Sequence, residues 1–365
     1  MPVYMPSPSD SGRPEGPAFE ASTDSVSLRD AVALALLHSP DLAAFAWETR
    51  AREALILQAG RLPNPVVGVV AEDIGQSRFV SSVAQSEQVV QPQTTVQLSQ
   101  LIELGGKRSA RQNLAARTRD LAAWDYEAAR IDVLTRVTHA FIDVLSAQEM
   151  VALTAQTTQL VEQVQQSVGA RVVAGVVSPI EETRADVALA TVRVESNRAL
   201  RLLDASRRRL AAHWGASEAR FAAGAGSLSV APALPSIAEL TTRLAENPDL
   251  ARWAVEISQR KALVATEESK RIPDVTLTAG YRRFTDLRSN AFVIGGSLPL
   301  PIFDLNGGAI KEARSRLAKA YEERRAAESR VSSGLAEAYR ALAAAHDEVT
   351  ALRTTVLPGS RQTFE

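Results

Sequence analysis

Gly105-Gly106-Lys107-Arg108-Ser109 is the stretch whose residue types come nearest to a phosphate-binding loop, where backbone amides and a lysine cradle an anion. The spacing fails, because that motif needs glycine where Leu101 stands and serine or threonine where Arg108 stands. The four histidines, His38, His139, His213 and His346, are isolated and lack the spacing of a metal site. Each reads as a helix-surface or seam residue. Met1, Met5 and Met150 make no soft-metal cluster. Glu181-Glu182 and Glu267-Glu268 are adjacent pairs, so their members do not share a helix face and read as solvated surface. Cysteine is absent, which excludes thiolate nucleophiles, disulfides, cysteine zinc sites and lipid-accepting thiols. No nucleophile–base arrangement can be assembled, and the expectation is a protein without catalysis, cofactor or resident metal.

The elements that hold these residues say more. The chain has 365 residues and a formal net charge of −1, which gives no reason to expect nucleic acid as a partner. Apolar runs such as 31–37 are too short for a bilayer-spanning helix. Residues 1–25 are rich in proline, serine and glycine, read as disordered or extended, and lack the basic-then-apolar pattern of a signal peptide.

The chain also repeats itself. His38-Ser39-Pro40-Asp41-Leu42-Ala43 returns as Glu246-Asn247-Pro248-Asp249-Leu250-Ala251, and Arg61-Leu62-Pro63-Asn64 returns as Arg271-Ile272-Pro273-Asp274. Ile102-Glu103-Leu104-Gly105-Gly106 returns as Ile302-Phe303-Asp304-Leu305-Asn306-Gly307-Gly308. A shared offset of about 200–210 residues marks one long unit duplicated. The expected organisation is a first repeat at 26–215, a linker at 216–236 and a second repeat at 237–365 that stops early.

Within each repeat the periodicity changes from helix to strand and back. Ser27 is placed to cap a helix that stops at Ser39-Pro40, and a second helix ends at Arg61-Leu62-Pro63-Asn64-Pro65. Val96 and Leu98 alternate with polar residues, as do Val275, Leu277 and Tyr281, then Phe292, Ile294, Leu298 and Leu300. The spacing predicts β-hairpins over about 65–102 and 274–303. Residues 107–168 hold no glycine or proline and predict a helix of about 90 Å, with an apolar seam through Leu114, Leu121, Trp124, Ala128, Ile131, Leu134, Val137, Phe141 and Val144. A turn at 170–179 and a returning helix at 180–214 complete a helical hairpin. A matching long helix starts at 309.

Two hairpins leave open strand edges, which invite pairing with another chain and are forbidden in lipid. Three copies would close twelve strands into a barrel, with Phe79, Tyr281, Phe284 and Phe292 near strand ends where aromatic girdles belong. A soluble sheet packing its apolar stripe on a helix remains the alternative.

The chain resembles the TolC-like outer-membrane efflux channels, in particular their heavy-metal branch of cobalt-zinc-cadmium and copper-silver type factors. The resemblance runs through Leu28-Arg29-Asp30-Ala31-Val32-Ala33-Leu34-Ala35, Ser39-Pro40-Asp41-Leu42, Leu62-Pro63-Asn64-Pro65 and Ile102-Glu103-Leu104-Gly105-Gly106-Lys107-Arg108. It continues through Arg171-Val172-Val173-Ala174-Gly175-Val176-Val177-Ser178, Glu181-Glu182-Thr183-Arg184-Ala185 and Leu298-Pro299-Leu300-Pro301-Ile302-Phe303.

What it implies is a mainly α fold with a small β part. Duplicated long antiparallel helical hairpins would form an α-barrel, and two β-hairpins per chain would contribute to a trimeric twelve-stranded β-barrel. The homotrimer would sit in outer-membrane lipid and reach into the periplasm. It would serve an RND-type pump as a passive conduit for heavy-metal cations. Val96, Leu98, Val275, Leu277, Tyr281, Phe292 and Ile294 would face the membrane. Arg171, Val172, Gly175, Val176, Val177, Ser178 and Pro179 would form the tip that docks a periplasmic adaptor. The competing expectation is a soluble periplasmic coiled-coil scaffold without channel activity. Aligned on the glycine pairs, Glu365 falls near Gln163, so the second repeat is expected to be truncated, leaving an unpaired helix over 309–357 and no sealed channel unless the chain is extended.

Overall fold

The structure, a computed structural model, describes residues 24–74, 92–229, 232–285 and 289–364. Phe79 and most of the loop between the first pair of strands lie outside them. The chain is mostly helical and divides into two compact units. One comprises Met1–Thr49, Ala123–Asp249 and Ser329–Glu365, and the other Arg50–Ala122 and Leu250–Glu328. Each unit therefore draws on both sequence repeats.

The order of elements repeats as the motifs do. In the first half β1 (Ser25–Ser27), α1 (Leu28–His38) and α2 (Pro40–Ala59) lead to β2 (Val66–Glu72) and β3 (Gln93–Ile102). Then follow α3 (Lys107–Val173), α4 (Pro179–Ala212) and β4 (Ala223–Ala225). The second half has α5 (Ile237–Arg243), a 3-10 turn Leu244–Glu246 and α6 (Pro248–Ser269). It continues with β5 (Val275–Phe284), β6 (Asn290–Ser297), α7 (Gly307–Ala351), a π turn Leu352–Val356 and α8 (Leu357–Phe364). The π turn answers Pro358, which has no amide to give: Leu357 N–H donates to Leu352 O, one residue further back than in an α-helix.

The helical unit has the larger core. Ser27 caps α1 in a reciprocal box, with Asp30 N–H donating to Ser27 Oγ and Ser27 N–H to Asp30 Oδ2, both at 3.2 Å. Ser27 Oγ also donates to Asp30 Oδ2 at 2.6 Å, and this bond, with that from the Ser27 N–H, holds the Asp30 carboxyl below its ordinary value. Val133, Val137, Ala140, Val144 and Ala147 are buried along α3 at steps of three and four, the spacing of a coiled-coil seam. Ala31, Leu42, Leu210 and Phe221 join them. The seam thus runs through Val133, while Ile131 is exposed, because the row tracks a 3.5-residue repeat set by Val137 and Val144.

Several boundaries differ from the sequence reading. Strands β1 and β4 pair in parallel, so the stretch read as a linker carries a strand, and Ser25 is part of the other. Gln148 clamps β4, accepting from Gly224 N–H at 2.7 Å and donating to Gly224 O at 3.2 Å. A Cβ on Gly224 would come within 3.2 Å of Leu145, so the strand lies close against α3. Helix α3 passes through Gly169 to Val173, which places Arg171 and Val172 in the helix and narrows the turn to 174–178. Strand β6 stops at Ser297, because Pro299 and Pro301 cannot donate to a ladder, so Leu298 and Leu300 lie beyond it. Helix α7 begins at Gly307, with Asn306 taking the left-handed turn at φ 57° that Gly105 and Gly106 take in the first half.

The other unit is built on a four-stranded antiparallel sheet in the order β2-β3-β5-β6. Along α7, Ala313, Ala320 and Ala327 are buried at intervals of seven, a small-residue stripe that permits close helix approach. Arg314 of α7 meets Glu268 of α6 at 2.6 Å.

Candidate functional site: a two-faced sheet and a helical-hairpin turn

The register of the sheet assigns every strand residue to a face. Val67, Leu98, Ala279 and Ile294 form one cross-strand row, and Val69, Val96, Tyr281 and Phe292 the next. All of these except Ala279 are large, and all the large ones are exposed, Phe292 to 86% and Ile294 to 87%. Tyr281 and Phe292 meet edge to face, with centroids 6.0 Å apart. Leu277 lies exposed on the same face, and Val275 lies there half-buried.

The opposite face is polar and internally bonded. Ser99 Oγ and Thr278 Oγ1 are 3.1 Å apart, Arg282 Nε donates to Thr95 Oγ1 at 3.0 Å, and the Arg282 guanidinium lies 3.6 Å from Glu72. Phe284 falls on this face by parity with Arg282, which removes it from any girdle on the apolar side. A sheet whose polar side chains bond to one another while its large apolar groups stand exposed inverts the usual soluble arrangement. Strands of ten residues, as in β3 and β5, reach about 33 Å and cover roughly 23 Å when tilted by about 45°, close to the apolar band of a membrane barrel.

The hairpin expected over 65–102 includes β2, but the sequence does not assign the faces of that strand. Val66-Val67-Gly68-Val69-Val70 shows no alternation, so its outward residues Val67 and Val69 emerge only from the register.

Where the strands give way to helices, the phosphate-loop-like residues hold a seam. Leu104 N–H donates to Asp274 Oδ1 at 3.0 Å, and Lys107 Nζ pairs with the same oxygen at 2.6 Å. Arg108 Nε donates to Gly60 O at 2.6 Å, and Arg111 pairs with Glu103, which raises the guanidinium pKa.

The hairpin turn is a Schellman closure followed by an N-cap. Val176 N–H donates to Arg171 O and Gly175 N–H to Val172 O, both at 2.9 Å. Gly175 has φ 69°, and the space around it is open, so conformation alone selects glycine. Ser178 accepts from Ile180 N–H at 3.4 Å, and Pro179 opens α4. Val173, Val176 and Ile180 are exposed around the turn, with Val172 and Val177 half-buried. Gln165–Asp186 at 2.9 Å and Arg193–Glu162 at 2.8 Å tie the two helices behind it.

Among the described residues no group of three or more His, Asp or Glu side chains is arranged to hold a metal, and no helix is long and apolar enough to cross a membrane. The latter says nothing of strands.

The family described as outer membrane efflux protein matches residues 31–216 and 240–365. The chain is 35% identical over 364 residues to the cobalt-zinc-cadmium resistance protein CzcC of Cupriavidus metallidurans, covering 100% of this chain and 84% of that one. It is 27% identical over 303 residues to the nickel-cobalt-cadmium resistance protein NccC of Alcaligenes xylosoxydans xylosoxydans, covering 83% of this chain and 66% of that one. Among solved structures, a membrane protein from Pseudomonas aeruginosa superposes with a TM-score of 0.69 at 21% identity, over 94% of this chain and 81% of that chain. CusC, described in terms of folding and transmembrane channel formation, gives 0.67 at 15% identity over 91% and 79%. At these identities the likeness to the solved structures is one of fold.

Proposed function

The chain belongs to the outer membrane efflux protein family, and on that footing we infer that it is an outer-membrane export conduit for heavy-metal cations. It works as a homotrimer coupled to a periplasmic adaptor and an inner-membrane pump. The observation that carries this is the sheet. Its strands alternate in direction, so the edge strands β2 and β6 run antiparallel to each other. One copy's β6 can therefore join the next copy's β2 without breaking the ladder. Three copies of a four-stranded sheet supply twelve strands with no edge left in lipid. The face carrying Val96, Leu98, Tyr281, Phe292 and Ile294, with Val275 and Leu277, meets lipid, and the Thr95–Arg282–Glu72 face lines the lumen.

The turn is the docking tip. Arg171, Val172, Gly175, Val176, Val177, Ser178 and Pro179 present a rigid, partly apolar cap to an adaptor, with Arg171 as a fixed charge. Relatives named for cobalt, zinc, cadmium and nickel resistance support metal cations as cargo. A conduit supplies no energy and selects by what the pump delivers. The test is complementation: cells lacking their own conduit but carrying a cognate pump and adaptor should regain resistance to zinc, cobalt or cadmium, and the purified protein should be trimeric in detergent. A detergent-free soluble monomer, or unchanged metal sensitivity with the protein in the membrane, overturns the reading.

A further inference from the structure

The loop at 298–306, between β6 and α7, exposes Leu298, Leu300, Ile302, Phe303 and Leu305, with Phe303 at 99%. It is not slack. Pro299 and Pro301 restrict the backbone, and Ile302 N–H donates to Leu300 O at 2.9 Å. Asn306 N–H donates to Asp304 Oδ1 at 2.8 Å, and the Asn306 amide donates to Glu267 O at 2.8 Å and Oε2 at 3.0 Å. A loop stiffened by two prolines and tied to α6 through Asn306 holds a phenylalanine in the open, which marks a contact surface.

The duplication shows what such a loop rests on. In the first repeat the corresponding segment, 102–106, lies against the loop entering β5: Leu104 and Lys107 both bond Asp274. A Cβ on Gly105 would stand 2.8 Å from Ile272. The loop leaving one hairpin thus packs on Arg271-Ile272-Pro273-Asp274, which enters the neighbouring hairpin. The repeat of that segment is Arg61-Leu62-Pro63-Asn64, which enters β2 at the other edge of the sheet. Beside it is a groove of about 590 Å³ whose apolar lining is Leu55, Ala59, Leu62, Pro63, Leu114 and Ala115, with charged side chains such as Arg111 and Glu103 completing it. Val66 shares a row with Ser99, Thr278 and Gly295, so the end of β6 and the start of β2 sit at the same level of the sheet.

We propose that the β6–α7 loop of one copy docks in this groove of the next copy, with Phe303 as its anchor, reproducing between copies the seam that β3 and β5 make within one. The proposal rests on the ring assembly inferred above. It also explains a change of chemistry between the repeats. Where the in-chain seam has Asp274 and Lys107, the between-copy seam has Asn64 and Ala309, so the ion pair is gone and apolar contact replaces it.

The chain's lack of cysteine makes the test clean. The full-length Leu62→Cys, Phe303→Cys double variant, purified in detergent and treated with a short bismaleimide, should give covalent dimers and closed trimers, and neither single variant should. Phe303→Ser should lower the temperature at which the trimer dissociates, and Phe303→Leu should restore most of it. A protein that is trimeric by mass, yet gives no cross-link and an unshifted Phe303→Ser trimer, overturns the docking and leaves the ring standing. A monomer in detergent overturns both.

Discussion

Ile294 and Val293 are neighbours in β6 that point to opposite faces, and an arginine at each should have opposite consequences. Ile294 lies midway along the edge strand β6, opposite Ala279 in β5, in the row that continues to Leu98 and Val67. It is 87% exposed in the single chain. If that face meets lipid, Ile294→Arg introduces a charge near the bilayer midplane at a cost of about 2–4 kcal/mol. It also forfeits roughly 1.5–3 kcal/mol of apolar burial. Together these make about 3.5–7 kcal/mol per copy, or roughly three to five orders of magnitude in the folding equilibrium. Val293 sits in the row of Gly280, Gln97 and Gly68, on the polar face, where an arginine meets water and should cost under about 1 kcal/mol. The assay is urea unfolding of the protein refolded into liposomes, scored by trimer on unheated gels. Equal losses at the two positions, or a greater loss for Val293→Arg, would refute the assignment of faces.

The remaining predictions concern the helical unit. Leu210→Ala empties a fully buried site in the core and should cost about 2–5 kcal/mol in chemical denaturation, while Leu202→Ala, at a half-exposed position, should cost under about 1 kcal/mol. Gly175→Ala forces a side chain into the left-handed region and should cost about 1–2 kcal/mol at the turn, read as roughly 5- to 30-fold faster hydrogen exchange at the Val176 amide. Burial, reinforced by Arg136 and partly offset by Asp41, pushes His213 below its ordinary 6.5, so the folded state binds this proton less tightly than the unfolded chain. Its contribution is therefore intact above about pH 6.5 and lost as pH falls below it. His213→Gln should flatten the fall in stability between about pH 7.5 and pH 5.5, and an unchanged slope would count against the assignment.

Helix starts and stops were legible because single residues enforce them. Ser27 accepts from the Asp30 amide, and Pro40 and Pro248 open α2 and α6 where the repeated motif places them. The strands of the second repeat were legible because one face is apolar and the other polar, which leaves a period of two. Other features required the tertiary structure. β1 and β4 are three residues each, below the length at which any periodicity can register, and only Gln148 and the close face of α3 show why Gly224 is in a strand. Gly169 suggested a helix end, yet continuing hairpin pairs on both helices, such as Gln165–Asp186, outweigh the roughly 1 kcal/mol that a helical glycine costs. The choice between Ile131 and Val133 depends on the position of a partner helix, which a list of apolar residues does not contain.

The residues that most resembled reactive chemistry turn out to serve the architecture. Gly105 is glycine twice over: it has φ 70°, and any side chain there would collide with Ile272. Gly106 continues the same left-handed bend and accepts from Ala110 N–H as α3 begins. Lys107 pairs with Asp274 rather than with a phosphate, and Arg108 reaches back to the carbonyl of Gly60 at the end of α2. An anion-binding loop needs its amides and its lysine directed into open space, and here the lysine and the Leu104 amide are spent on one carboxylate oxygen. The same short stretch therefore explains both the false resemblance and the seam between the two hairpins. A conduit built by closing a sheet needs strong joints at the points where strands become helices. The duplicated chain supplies one such joint within itself and leaves the matching pieces exposed at its two edges.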